Sequence, residues 1–101
     1  MFEEKVKQII AERKTVHHEN SFLIEKYWES LTKLLSEDIE HTIKFLDSAS
    51  EEEIEWISEV FEDIDYDTKN KEYIDCLKRL VKKFPNSTIK PSVEIVEQMM
   101  F

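Results

Sequence analysis

The chain contains no glycine in 101 residues, and this absence constrains its fold more than any other feature of the sequence. Tight β-hairpin turns need residues that tolerate positive φ, and glycine is the residue that tolerates it best. Phosphate-binding loops of the Walker and Rossmann types need glycine because the backbone must approach the phosphate closely. The sequence therefore argues against an all-β fold and excludes both kinds of phosphate loop.

Helical spacing of apolar residues runs through every long stretch of the chain, and no repeat, linker or low-complexity segment interrupts it. The sequence predicts an all-α fold, a compact bundle of five to six short amphipathic helices, with residues 1–101 forming a single helical domain. The predicted helices are roughly 2–14, 21–36, a short one after Ser36, one from near 50 through Ile64, one around Tyr73 to Phe84, and one opened by Pro91 or Ser92.

Polar caps and one proline predict where these helices begin and end. Two serines have a glutamate three residues later, Ser48 with Glu51 and Ser50 with Glu53, which is the capping-box pattern. Pro85 is predicted to end the fifth helix because the residue before a proline is pushed out of α geometry. The other candidate N-caps are Asn20 or Ser21, Ser36, and Thr68 or Asn70.

Negative charge is concentrated in the middle of the chain. The formal net charge is −9, and residues 37–67 hold thirteen acids against one base, Lys44, a net charge of −12. Such a block forms either a solvated face or a docking surface for a basic partner. An acidic chain is a poor ligand for nucleic acid or for an anionic membrane, so neither is an expected partner.

The predicted helix from 50 to 64 has one apolar and one acidic face in projection. Its apolar residues fall on an arc of about 240–360°, and Trp56 falls near 200°, between the two faces. An edge tryptophan is either a binding anchor or a side chain packed on a neighbouring helix. Trp28 is instead predicted at the centre of the apolar arc of the second helix, and so in the core. The predicted partner-binding residues are Glu52, Glu55, Trp56, Glu59, Glu62, Asp63, Asp65 and Asp67.

No motif in the sequence predicts catalysis, a metal site or a cofactor. The alternating oxygens of Asp63, Asp65 and Asp67 open like a calcium loop, but Thr68 and Ile74 stand where a glycine and a bidentate glutamate are needed. No two of the three histidines have the i, i+4 spacing of a zinc pair, and a lone cysteine adds no second thiol ligand. The chain is predicted not to be an enzyme, with no cofactor and no metal.

The single cysteine and the N-terminus predict a cytoplasmic protein. Cys76 has no partner for an internal disulfide, which is typical of a reducing compartment, and it is expected to pack as a small apolar side chain. The start Met1-Phe2-Glu3-Glu4 lacks the basic residues and following apolar run of a signal peptide. A monomer or weak homodimer is expected, because oppositely charged helix faces could pair between chains.

Three stretches carry a resemblance to a known family: Trp56 to Ile64, Lys71 to Leu77, and Lys82-Lys83-Phe84-Pro85. Over about 30 residues, 56 to 85, the chain resembles small bacterial immunity proteins of contact-dependent growth inhibition and related polymorphic-toxin systems. The pattern of that family has Gln-Ser where this chain has Lys69-Asn70. The resemblance implies a cytoplasmic, non-enzymatic protein that binds one toxin domain, often a nuclease, and blocks its active site or another essential surface.

Two functions are therefore expected from the sequence. The first is an immunity protein that neutralises a cognate basic toxin, such as a nuclease, through its acidic helix. A nuclease carries a basic cleft for phosphate, and an acidic helix can occupy that cleft in place of the substrate. The second is a helical adaptor or regulatory subunit that binds a basic protein and has no toxin.

Overall fold

The computed structural model describes residues 2–64 and 70–100, with the backbone alone for Met100. The described residues form six α-helices and one 3₁₀ turn, with no strand among them, which confirms the predicted all-α bundle. The helices are α1 (Phe2–Thr15), α2 (Ser21–Glu37), α3 (Ile39–Ser48), α4 (Glu51–Ile57), α5 (Lys71–Lys83) and α6 (Lys90–Met100), and the 3₁₀ turn is Ser58–Val60.

One continuous hydrophobic cluster takes side chains from all six helices. α1 contributes Val6 and Ile10, which lie four residues apart on one face of the helix. The segment from Ile54 to Ile64 and helix α5 supply most of the fully buried side chains. Burial of this apolar surface is the main favourable contribution to the free energy of folding. The fully buried members include Leu35, Leu46, Ile54, Ile57, Val60, Phe61, Ile64, Tyr73, Cys76 and Leu77.

Most of the predicted helix caps are confirmed. Asn20 caps α2 and Asn70 caps α5, and in each case the side-chain oxygen accepts a bond from the N–H three residues later. Ser50 and Glu53 form the reciprocal capping box that opens α4. α5 ends at Lys83, two residues before Pro85. The alternative cap Thr68 lies outside the described residues.

The predicted cap of α3 is wrong. Ser36 lies inside α2, which continues to Glu37, and Asp38 caps α3 by accepting a bond from the N–H of His41 at 3.1 Å. A buried hydrogen bond at the same corner joins the two helices, because the hydroxyl of Thr42 donates to the carbonyl of Leu35 at 2.6 Å. That bond satisfies a carbonyl in the last turn of α2, where helical partners run out.

The predicted helix from 50 to 64 is shorter in the structure. α4 has seven residues, and the chain then tightens into the 3₁₀ turn and a hydrogen-bonded turn through Ile64. The hydroxyl of Tyr73 on α5 donates to the carbonyl of Phe61 at 2.7 Å and holds this turn from inside the core. Because a 3₁₀ helix has about three residues per turn, side chains after Ile57 depart from the α-helical projection.

Within the described part of the chain, no helix is both long enough and apolar enough to cross a membrane.

Candidate functional site

The predicted partner-binding carboxylates do not form one stripe. Glu52 contacts α1, Glu55 contacts the loop before α6, and Glu59 points between α1 and α2. Asp63 borders a groove on the outer side of α2. The change from α to 3₁₀ geometry after Ile57 and the packing of three neighbouring elements send these side chains in different directions.

Glu59 is the most engaged of these carboxylates. The guanidinium of Arg13 donates to both of its oxygens, Nε to Oε1 at 3.1 Å and Nη2 to Oε2 at 2.8 Å. The indole Nε1 of Trp28 donates to the same Oε1 at 3.0 Å. Paired, two-pronged contacts of this kind are the strongest form of charge-assisted hydrogen bond. Glu59 therefore joins α1 and α2 to the 3₁₀ turn and is already neutralised from within the chain.

The two tryptophans belong to the same cluster, although they are predicted to lie in different environments. Both are half-buried, and both line a narrow crevice of about 10 Å³ that also touches Arg13 and Glu59. The guanidinium of Arg13 lies 5.0 Å from the centre of the Trp56 ring, a cation–π contact. We call Arg13, Trp28, Trp56 and Glu59 the Arg13 cluster.

The Arg13 cluster corrects the prediction for Trp28 and shows how Trp56 packs. Trp28 is not fully buried, because its indole N–H needs a polar partner and finds it in Glu59 near the surface. Trp56 packs against the hydrophobic core and under Arg13, as the packed alternative predicts.

Two further predicted residues have partners inside the chain. Glu52 pairs with Lys14 of α1, and both side chains are exposed. Glu55 accepts a hydrogen bond from the hydroxyl of Ser87 at 2.9 Å. Both contacts hold the acidic segment against neighbouring elements.

Other acids of residues 37–67 also have structural roles. Asp38 and Glu53 cap helices, as described above. Asp47 pairs with Arg79 of α5, with the closest contact at 3.0 Å, and this hydrogen bond raises the pKa of Arg79 above its ordinary value. About half of the acidic block therefore stabilises the fold.

Glu62 and Asp63 are the predicted partner-binding residues that remain available. Neither makes an ion pair or side-chain hydrogen bond within the described part of the chain, and Asp63 is exposed. Glu51, at the start of α4, is also exposed and likewise unpaired there. The predicted residues Asp65 and Asp67 lie outside the described residues.

A groove of about 630 Å³ lies between α2 and the turn after the 3₁₀ segment, and we call it the α2 groove. Asp63 borders it from the turn, and Glu25 and Glu29 border it from α2, one turn apart. Trp28 lines both this groove and the crevice of the Arg13 cluster. Among the described residues, the lining consists of Glu25, Trp28, Glu29, Thr32, Lys33, Ser36 and Asp63.

The sequence did not indicate the role of Glu25, Glu29 or Arg13. The spacing of Glu25, Glu29, Thr32, Lys33 and Ser36 marks one polar face of α2, which is what a solvated face looks like. That this face meets Asp63 depends on tertiary packing between α2 and the 3₁₀ turn. Arg13 and Glu59 are 46 residues apart, so no local pattern pairs them.

Cys76 behaves as the predicted buried small side chain. Its thiol is fully buried, and its Sγ lies 3.8 Å from the Ile43 carbonyl and 3.6 Å from Asp47 Oδ1. Burial, and next the negative charge of Asp47, raise the pKa of the Cys76 thiol to about 12. A protonated thiol is a poor nucleophile, so this environment does not activate it.

The described residues contain no group of three or more histidine, cysteine, aspartate or glutamate side chains placed to hold a metal ion. The three histidines stack on other rings. The ring centres of His41 and Phe2 are 4.3 Å apart, and those of His17 and His18 are 4.4 Å apart. These contacts give the rings a packing role on the surface.

Comparison with protein-family models, with curated proteins and with solved structures found no match to this chain. The resemblance of residues 56–85 to immunity proteins therefore stays a prediction.

Proposed function

We propose that the chain is an immunity protein that binds and neutralises a cognate toxin domain of basic charge, such as a nuclease. The observation that carries this proposal is that some carboxylates of the acidic segment make no ion pair or side-chain hydrogen bond within the described residues. Glu51, Glu62 and Asp63 have no ion-pair partner in the described part of the chain. Unpaired surface carboxylates in a segment of net charge −12 favour a positively charged partner.

Neutralisation in this proposal needs no chemistry on the part of the chain. A nuclease holds its phosphate substrate in a cleft lined with arginine and lysine. Carboxylates docked at such a cleft compete with the phosphates for the same cations, and the occupied cleft excludes the substrate. The charge difference between the two proteins also speeds their encounter, and salt reduces that steering within a Debye length of about 8 Å at physiological ionic strength.

The contacts inside the chain reduce the number of residues that we propose for the interface. Glu59 is an unsuitable interface residue, because its carboxylate is held by Arg13 and Trp28. Glu52 and Glu55 contribute only as far as their contacts with Lys14 and Ser87 open. We therefore propose Glu62 and Asp63, together with Glu51 from the same acidic segment, as the partner-binding residues.

The test is protection of cells from the product of the adjacent upstream reading frame, expressed together with this chain. We expect the two proteins to co-purify and growth to be restored. We expect the double substitution Glu62→Lys and Asp63→Lys to abolish protection while the far-ultraviolet circular dichroism stays helical. The matched control is Glu72→Lys with Glu94→Lys, two exposed glutamates on α5 and α6 that undergo the same change of charge.

Equal loss of protection in the control pair would contradict an interface at Glu62 and Asp63. A neighbouring product that is not toxic but still co-purifies would favour the second function, a helical adaptor or regulatory subunit for a basic protein. Absence of any complex at low salt would contradict both functions, since charge attraction is strongest there.

A further inference from the structure

The α2 groove combines two features that recognise a cation. Glu25, Glu29 and Asp63 carry three negative charges around its border, and none of the three makes an ion pair within the described part of the chain. Lys33 is the one cationic side chain among the described residues that line it. The groove therefore has a net negative charge that no contact inside the described chain neutralises.

The second feature is the indole of Trp28. Its Nε1 donates to Glu59, and Glu59 is itself held by Arg13, so the ring is fixed in place from the inner side. Trp28, which is half-buried, also lines the groove. A tryptophan face is the best aromatic surface for a cation, and a ring that is already fixed loses little entropy on binding.

We infer that the α2 groove binds an arginine or lysine side chain of the basic protein partner, seated against Trp28 between Glu25, Glu29 and Asp63. This inference rests on the proposed function and locates the contact that the partner makes. Guanidinium fits best because it is planar, stacks on an aromatic face and donates to two carboxylates at once.

The shape and chemistry of the groove favour a side chain over a metal ion. The described residues contain no cluster of acids close enough to hold a metal, so these three carboxylates border the groove without converging on one point. The groove volume of about 630 Å³ is in the range that accommodates a long side chain and part of its backbone. A cationic side chain uses both the spread carboxylates and the indole face, whereas a bare ion uses neither well.

The experiment uses the two indole N–H signals of the chain in nitrogen-15 NMR spectra, since the sequence has two tryptophans. A Trp56→Phe variant assigns the remaining signal to Trp28. The probe is the peptide Gly-Arg-Gly-Arg-Gly-Arg-Gly, titrated into the full chain at low salt. Its counterpart with citrulline in place of arginine has nearly the same shape and no charge. We expect the arginine peptide to shift the Trp28 signal and the citrulline peptide to leave it unchanged.

Substitutions in the groove then test which charges matter. We expect Glu25→Gln with Glu29→Gln to weaken binding of the arginine peptide about tenfold, the equivalent of about 1.4 kcal/mol. We expect Lys33→Gln to tighten it about threefold, because the repelling charge is removed. The control pair Glu72→Gln with Glu94→Gln removes two negative charges outside the groove and is expected to change binding less than twofold, on the order of surface screening alone.

Two results would overturn the proposal that the α2 groove binds a cationic side chain. One is equal weakening by the groove pair and the control pair, which would mean that the peptide responds only to net charge. The other is a shift of the Trp56 signal without the Trp28 signal. If the arginine peptide binds the groove but no toxin is neutralised, the groove stands and the proposed function fails. If the Glu25→Gln with Glu29→Gln variant protects cells as well as the wild type while Glu51→Lys with Glu62→Lys does not, the groove fails and the proposed function stands.

Discussion

Trp28 lies between the Arg13 cluster and the α2 groove. Both regions contain carboxylates, but only the cluster pairs its carboxylate with a cation of the described chain. In the Arg13 cluster, a carboxylate, a guanidinium and two indoles satisfy one another and close a crevice of about 10 Å³. In the α2 groove, three carboxylates border about 630 Å³ of open space and have no partner in the described chain. The fold therefore pairs some of its carboxylates with its own cations and leaves others unpaired within the described residues.

The largest expected effect is the loss of stability when the side chain of Trp28 is removed. We expect Trp28→Ala to lower the free energy of unfolding by about 3 kcal/mol, at the lower end for loss of a tryptophan because the ring is half-buried. The same change at Trp56 is expected to lower it by about 2 kcal/mol, since its indole N–H makes no hydrogen bond within the described part of the chain. Denaturant melts of both variants give the two values.

Trp28→Phe separates ring packing from the indole hydrogen bond. It keeps an aromatic ring, removes the donor to Glu59, and is expected to lower the free energy of unfolding by about 1 kcal/mol. A Trp28→Ala variant that unfolds no more readily than an average surface mutant would show that the cluster adds nothing to the fold.

Arg13 provides the second comparison, this time between two ion pairs of α1. Arg13→Ala leaves Glu59 partly buried without its cation, and we expect it to lower the free energy of unfolding by about 2 kcal/mol. Lys14→Ala breaks the neighbouring but exposed pair with Glu52 and is expected to lower it by at most about 0.5 kcal/mol. Chemical denaturation of the two variants is the measurement, and equal losses would contradict the special role of the cluster.

The labelling rate of Cys76 measures how often the core of a variant opens, even when the substitution lies far from Cys76. Because its thiol is buried and its pKa is raised to about 12, iodoacetamide at pH 8 reaches a reactive thiolate only when the chain opens. We expect Arg13→Ala to accelerate labelling about tenfold or more, in line with its loss of stability. The Glu25→Gln with Glu29→Gln variant should label at the wild-type rate, and faster labelling there would mean that the groove also supports the fold.

The smallest expected effect is a slight gain of stability when groove charges are removed. Glu25 and Glu29 lie one helical turn apart and repel each other. Their joint replacement by glutamine is expected to raise the free energy of unfolding by about 0.2–0.5 kcal/mol. Thermal melts at low salt resolve this difference, and a loss of stability would show that these glutamates are retained for the fold.

The sequence predicts most of this architecture wherever the signal is local. The capping box of Ser50 and Glu53 and the cap at Asn70 are confirmed because each acts within a few residues of the chain. The sequence predicts Ser36 as the cap of α3 because serine is a good cap, but α2 runs one residue beyond it and Asp38 is the cap instead.

The end of α4 and the grouping of residues at the candidate site depend on contacts between residues that are far apart in the sequence. No glycine or proline marks the change to 3₁₀ geometry at Ser58, and the turn after it is fixed by the Tyr73 hydroxyl from another helix. The helical projection therefore places Glu59 on the acidic face, whereas its carboxylate binds Arg13, which is 46 residues away in the sequence. The same limit concealed the meeting of Glu25 and Glu29 with Asp63.

The three hydrogen bonds that converge on Glu59 have a consequence for how sequences like this one change over generations. A replacement at Arg13 leaves a partly buried carboxylate without its cation, so a second change at Glu59 is needed to restore fitness. Arg13 and Glu59 should therefore vary together among homologues, with a glutamine or an apolar side chain replacing both charges at once. Glu25 and Glu29 have no such ion-pair partner in the described part of the chain, and their exchanges should follow those of the partner protein that we propose for the groove.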